Sequence, residues 1–310
     1  MNVLLYLHDS ALLHDTGPGH PERPARYRAV VEALDQLDAP WLLRQEAPEA
    51  SIEQVKRVHD VAYVDALLEA LPDQGLVQID ADTIGSPGSR EAALRAAGAA
   101  ASAVDAILSG RAKRAFSAMR PPGHHAESNR AMGFCLFNSV AVGAAQARTV
   151  HGVGRIAIVD FDVHHGNGTQ EIFWSDPQTL YVSTHQSPLY PGTGADNERG
   201  ARDNILNIPL RSGTDGTFFR KVVADRVIPV LDRFAPELLL ISAGFDAHEA
   251  DPLASLRLTE EDFAWVTKQL VAVADRHAQG RVVSVLEGGY DVDALGRSVK
   301  AHVCALAGQE

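Results

Sequence analysis

Four short segments concentrate residue types capable of hydrolytic chemistry. IAIVDFDVHHGNGT carries Asp160, Asp162, His164 and His165; LLLISAGFDAHEADP carries Asp246; VVSVLEGGYD carries Gly288, Gly289 and Tyr290; and AFSAMRPPGHHAESNRAMGFC carries His124 and His125. In each, the polar residues follow an apolar run that reads as a buried strand. Asp162 and His164 stand at i and i+2, so in extended backbone their side chains share a face. With Asp246 from a neighbouring strand end they form two carboxylates and one imidazole. That donor set leaves a position open for water and substrate, the arrangement of a catalytic zinc, and its negative charges offset the cation's. Taken alone, Asp162 and His164 read first as a capping and hydrogen-bonding loop; Asp246 and the His124–His125 pair turn the reading to a metal site.

The histidine doublet lies in a loop stiffened by Pro121, Pro122 and Gly123. One imidazole can accept a proton from an attacking water and return it to a leaving amine, while its neighbour orients or supports the reaction. Asp160 is placed to accept a hydrogen bond from such a histidine and fix its tautomer. Tyr290, after two glycines that permit a sharp turn, can donate to an oxyanion; without its context, a tyrosine packed under a helix start is an equal reading. Ligands in open parallel sheets bind beyond the carboxyl ends of the strands, so four such ends make a site only if the strands are neighbours.

The pattern of elements meets that condition. Strands are expected over 3–7, 114–119, 155–160, 179–184, 205–210, 237–242 and 282–286. Helical spacing marks a segment opening at Pro24 and running to Leu37, then 52–58, 61–71, 89–108, 137–147 and 218–234. A helix capped by Thr259 with Asp262 runs to His277, and a last one covers 293–306. Leucine-rich and β-branched runs separated by helices give a mostly parallel sheet covered on both faces. No repeat, low-complexity tract or Pro/Gly linker divides residues 1–310, so one domain is expected.

The 28 basic and 40 acidic residues give a formal charge of -12, which argues against binding a nucleic-acid backbone and suits a cationic substrate. No apolar stretch approaches a membrane span. The opening MNVLLYLHDS lacks the basic and long apolar regions of a signal peptide. Two cysteines, Cys135 and Cys304, cannot form a disulfide framework; a reducing, cytoplasmic setting is expected.

HPERPAR, RPPGHHAE, GFCLFNSVAV, DFDVHHGNGTQEIF, YPGTG, SAGFDAH and EGGYD occur in that order along almost the whole chain. The set resembles the histone deacetylase family within the arginase-like α/β fold. HHAE, HHGNGTQ and LEGGY are closer to its class II and bacterial members, relatives of the acetylpolyamine amidohydrolases. The resemblance implies zinc-dependent hydrolysis of an N-acyl amide, N6-acetyl-lysine foremost, with N-acetylated polyamines or other small acylated amines as the alternative substrates. It implies Asp162, His164 and Asp246 as zinc ligands, His125 as general base and acid, His124 as its electrostatic partner, Asp160 behind His124, and Tyr290 on the carbonyl. Gly133, Phe134, Tyr190 and the position of Leu253 would shape the substrate channel, and Arg26 would line an internal channel below the metal. Structural potassium is implied at Asp160, Asp162, His164, Ser183 and Thr184, and a second ion at Phe173, Asp176 and Thr179.

Departures from the family pattern narrow the reading. Class I members carry an acidic residue where Asn167 stands; an amide there holds His125 without adding charge, so His125 should be less basic than in class I. Tyr290 argues against the vertebrate subgroup with histidine at this point. Leu253 replaces the glutamate of polyamine-specific class II members, although Glu22, Glu127, Glu249 and Asp251 could supply a negative rim. A binuclear manganese hydrolase of the arginase kind would need carboxylates at His165 and Asn167. A catalytically silent acyl-lysine binder is the reading from a different class, and a homo-oligomer whose neighbouring subunit narrows the pocket is left open by the residues.

Overall fold

The computed structural model describes residues 1–309. In chain order it forms β1 (Val3–Leu7), α1 (Pro24–Asp35), β2 (Leu42–Glu46), α2 (Ile52–Val55), α3 (Val61–Ala70), β3 (Val77–Gln78), β4 (Ile84–Gly85), α4 (Ser89–Leu108) and β5 (Arg114–Ser117). There follow α5 (Ser139–His151), β6 (Ile156–Asp160), α6 (Asn167–Phe173), β7 (Thr179–Gln186), β8 (Ile205–Leu210), α7 (Gly216–Val222) and α8 (Ile228–Phe234). The chain then closes with β9 (Leu238–Ala243), α9 (Glu260–His277), β10 (Val282–Leu286) and α10 (Val292–Ala307).

Eight strands form one sheet in the order β2-β1-β5-β10-β9-β6-β7-β8, and every pairing in it is parallel. The central strands β6, β9 and β10 are buried along their whole length. This is why they read as unbroken apolar runs rather than as alternating ones. β5, β10, β9 and β6 are consecutive in the sheet; these are the strands whose carboxyl ends carry the four polar segments. The single α/β fold and its parallel sheet are therefore as the sequence indicated.

The differences lie at the margins. β2 (LLRQE) was not legible because it is an edge strand with polar and partly exposed residues. β3 and β4 pair antiparallel over two residues each, too short for any period to register. β8 occupies the other edge, where Pro209 costs no inner ladder bond. The expected helix 218–234 is helical but passes through a π-turn at Val223–Val227, just ahead of Pro229. The wider turn accommodates a residue that has no N–H to donate. Thr259 and Asp262 form the expected capping box.

One polar group in the packing is not part of the site. His302 of α10 is fully buried, with the rings of Phe116, Phe161 and Phe245 at 5.5–5.9 Å. Thr267 Oγ1 donates to the Phe263 carbonyl, so it accepts from His302 Nδ1 at 2.7 Å, and Ser284 Oγ donates to Nε2 at 2.9 Å. Burial lowers the imidazole pKa to about 3. Because the unfolded chain takes up a proton near pH 6.5 and the folded one does not, His302 contributes stability in full above pH 6.5 and loses it as pH falls toward 3. In chemical denaturation, the stability advantage of the wild type over His302→Gln should shrink by about 1.4 kcal/mol per pH unit across that window. A pH-independent difference would contradict the burial argument.

Candidate active site

The carboxyl ends of β6 and β9 bring Asp162, His164 and Asp246 together, with one donor atom of each within 4.8 Å of the others. His164 Nδ1 lies 3.2 Å from Asp162 Oδ1 and 3.0 Å from Asp246 Oδ2. Both carboxylates are fully buried, and the imidazole nearly so. Their remaining lone pairs are occupied by main-chain donors: Gly288 N–H binds Asp162 Oδ2 at 2.8 Å, and Val163 N–H binds Asp246 Oδ1 at 2.8 Å. Burial, and then the charge of Asp162, pushes the Asp246 carboxyl up to about 7. Two dry carboxylates aimed at one imidazole nitrogen form a donor set that a divalent cation satisfies.

Gly288 is required by this crowding. A Cβ on it would stand 2.1 Å from Asp246 Oδ2 and 2.6 Å from Asp162 Oδ2, so only glycine lets the loop after β10 pass over the donors. The same loop is held from outside by Asp251. Its Oδ2 accepts from Tyr290 N–H at 2.7 Å and its Oδ1 from Leu253 N–H at 3.0 Å.

The histidine doublet sits beside the donor triad, with its rings 4.1 Å apart. His124 Nδ1 donates to Asp160 Oδ2 at 3.0 Å, and Tyr181 OH donates to the same oxygen. Burial alone would lower the pKa of His124, but Asp160, with Asp162 and Glu287 beyond it, holds it well above that of an ordinary histidine. His125 Nδ1 meets Asn167 Oδ1 at 2.8 Å. Burial and the neighbouring His124 and His164 hold its pKa well below the usual range. One ring is thus kept cationic and the other neutral. Glu287 was overlooked by sequence reasoning although EGGYD contains it. Fully buried at the end of β10, it accepts from the N–H groups of Gly123 (2.6 Å) and His124 (3.1 Å) and so ties the histidine loop to the sheet.

A cavity of about 230 Å³ leads to this group. His125, His164 and Tyr290 line it together with Gly133, Phe134, Leu189, Tyr190, Leu253 and Asp82. Gly133 has φ +58° and a Cβ there would be 2.4 Å from His125 Cδ2, so the glycine lets the wall touch the imidazole. Burial keeps the Tyr290 phenol protonated far above neutrality, and its ring packs edge-on to Phe134 at 5.7 Å. Asp82, on the turn between β3 and β4, adds a half-exposed carboxylate. No spacing or period marked it, because its place is set by a two-residue ribbon.

The histone deacetylase domain family matches residues 20–306. The chain belongs to the histone deacetylase family. A probable deacetylase of Archaeoglobus fulgidus is 40% identical over 311 residues, covering 98% of this chain and 86% of that one. A histone deacetylase-like amidohydrolase of Pseudomonas aeruginosa is 42% identical over 279 residues, covering 88% and 73%. Among solved structures, the crystal structure of the HDA15 HD domain superposes with a TM-score of 0.94 at 34% identity, covering 99% of this chain and 89% of that one. The family's chemistry is amidohydrolysis of acylated amines, and the buried triad gives this deacetylase a candidate metal site for it.

Arg26, expected below the metal, lies under the Tyr290 floor of the cavity rather than among its lining residues. It is fully buried beneath Tyr290, with its guanidinium carbon 4.9 Å from the ring centroid, donating to the Gly289 and Glu287 carbonyls and paired with Glu22. Its aliphatic and cationic parts brace the β10 loop. One sequence expectation needs correction: Glu22, buried against Arg26 and Arg120, and Asp251, buried against the Tyr290 and Leu253 N–H groups, form no negative rim. The Phe173, Asp176 and Thr179 carbonyls, expected around a second potassium, converge on the Asn204 side chain. They accept from Asn204 Nδ2 at 2.9, 3.1 and 3.0 Å, and the Asp176 carboxylate is taken by Arg148. Of the residues expected around the first potassium, β6 and β7 pair Asp160 with Ser183, and Asp162 N–H binds Asp160 Oδ1 at 3.1 Å.

Gly288→Ala should weaken metal binding by about tenfold or more, as loss of a supporting group does at such sites. Competition with a chromophoric chelator measures this, and wild-type affinity in the variant would show that the loop does not need to lie so close.

Proposed function

We propose that this deacetylase is a zinc enzyme that hydrolyses the N6-acyl amide of lysine side chains, acetyl-lysine first among them. The observation that carries the reading is the cavity: apolar walls from Phe134, Leu189, Tyr190 and Leu253 end on a floor of His125, His164 and Tyr290. A slender aliphatic stem fits such walls, with its amide on the floor. Zinc at Asp162, His164 and Asp246 would supply Lewis acidity to the amide carbonyl and make water more acidic.

The chain's own residues account for the rest. Asn167 holds the N–H of His125 Nδ1, leaving Nε2 to accept the proton of the attacking water and pass it to the departing amine. Tyr290, kept protonated by burial, donates its O–H to the carbonyl oxygen as charge develops there. His124, cationic against Asp160, offsets the negative charge that accumulates during attack. Gly133 and Phe134 press the substrate against this pair. Potassium at Asp160, Asp162, His164, Ser183 and Thr184, and a cytoplasmic location, belong to the same proposal.

Asp82 supports a second reading, in which the substrate is an N-acetylated polyamine or another small acylated amine. Its carboxylate could receive a distal ammonium as readily as a peptide N–H. Leu253 speaks for the first reading, because it presents no charge on the opposite side of the cavity.

His125→Ala and Tyr290→Phe should each lower kcat on an acetyl-lysine peptide by about 10²–10⁴-fold while leaving the melting temperature unchanged. Normal turnover in either variant would remove that residue from the mechanism. Treatment with a zinc chelator should abolish hydrolysis, and zinc should restore it. Parallel kinetics should give a higher kcat/KM for acetyl-lysine peptides than for acetylated polyamines; the reverse order would establish the second reading.

A further inference from the structure

Glu127 lies two residues beyond His125 but does not face the substrate. It borders a separate, solvent-open cavity of about 460 Å³ behind α6, together with Asn167, Gln170 and Trp174. Its main chain is pinned: His59 Nδ1 meets its carbonyl at 2.9 Å, and its N–H binds the Arg130 carbonyl at 3.0 Å. Of its side-chain oxygens, Oε2 pairs with Arg130 at 3.1 Å, and Oε1 accepts from Asn167 Nδ2 at 2.7 Å. The other end of the same amide, Asn167 Oδ1, is the atom that meets His125 Nδ1.

The three groups have unequal freedom. A carboxylate can only accept, whereas an amide can present either end and a neutral imidazole can carry its proton on either nitrogen. Glu127 Oε1, with the His125 carbonyl 3.4 Å from the same nitrogen, therefore fixes the amide with its NH2 outward and its oxygen inward. That oxygen in turn requires a proton on His125 Nδ1 and leaves the lone pair on Nε2, which faces the substrate. With the amide reversed, an N–H would point at Nδ1, the proton would move to Nε2, and His125 could not serve as a base.

We propose that Glu127 is a positioning residue that sets the tautomer of His125 through the Asn167 amide, and that it supplies, one residue removed, the negative charge that Asn167 lacks. The inference rests on the proposed role of His125 as proton acceptor. Glu127, expected on a rim for cationic substrates, borders this second cavity and not the one lined by His125 and Tyr290.

The test uses the zinc-loaded full chain with Glu127→Gln, Glu127→Ala, Asn167→Asp, the double variant Glu127→Gln/Asn167→Asp, and His125→Ala. Glu127→Gln and Glu127→Ala should lower kcat by about tenfold or more, with KM, zinc content and melting temperature near wild type. In an Asn167→Asp background the effect should reverse. There a carboxylate oxygen replaces Nδ2 2.7 Å from Glu127, and Glu127→Gln relieves two like charges by donating to the new aspartate. The double variant should then turn over faster than Asn167→Asp alone. Nitrogen-15 shifts of labelled His125 should show Nδ1–H in the wild type and a growing share of Nε2–H in Glu127→Gln. Wild-type kcat in both Glu127 variants, independent multiplication of the two penalties, or an unchanged His125 tautomer would overturn the proposal. Turnover that survives His125→Ala would instead overturn the reading on which it rests.

Discussion

Two fully buried carboxylates, Asp162 and Asp246, face one imidazole nitrogen, and the surrounding structure follows from that unfavourable arrangement. Taking ions out of water costs several kcal/mol each unless partners repay it. Here the partners are main-chain N–H groups on the outer oxygens and, on the inner side, the place for a divalent cation. The requirement explains the flanking sequence. Strand ends must deliver the donors without side chains of their own in the way, hence glycine at 288 and at 244, where a Cβ would stand 2.0 Å from Asp162 Oδ2. The fold meets the cost by burying β6, β9 and β10 on both faces, so that the ends of three adjacent strands cannot drift apart.

A second layer of charge surrounds the first. Asp160, Glu287 and Glu22 are fully buried, and each is committed to a specific task. Asp160 holds His124, Glu287 holds the loop that carries both histidines, and Glu22 joins Arg26 and Arg120 beneath the β10 loop. The result is a difference between two adjacent rings of the same residue type. His124 faces a carboxylate directly and remains cationic; His125 faces an amide and remains neutral. Groups of one kind with their proton affinities driven apart are what acid–base chemistry on a single substrate needs.

Much of this could be read from the sequence, because the donors follow buried strands and buried strands are easy to see. Asp162, His164, Asp246, His124, His125 and Tyr290 each stand just beyond an apolar run, and the parallel order then forces them to one edge. What could not be read depends on contacts between distant segments. Asp82 reaches the cavity through a ribbon of two-residue strands. Arg26 lies under Tyr290 because two main-chain carbonyls 261 and 263 residues away accept from it. Asp251 and Glu22 look like surface acids in a polar segment, and only the arrangement of N–H groups and guanidinium partners shows them to be interior. Asn204 gave no sign that its amide would serve three carbonyls of the turn before β7.

The same distinction explains why a polar residue near this site cannot be assigned a role from its chemistry alone. Glu127, Asp251 and Asp82 are all acids in loops at one end of the sheet, yet they differ in what their oxygens accept. Asp251 accepts from the main chain of Tyr290 and fixes where the phenol sits. Asp82 accepts from Gly133 N–H at 3.0 Å and remains half-exposed beside the substrate path. Glu127 accepts from an amide whose other end touches the histidine. A carboxylate that binds a rigid main-chain N–H fixes a position. One that binds a reversible group such as an amide fixes an orientation, and through it the location of a proton. On the proposed mechanism, in which His125 offers a lone pair and His124 does not, that second kind of constraint governs the chemistry.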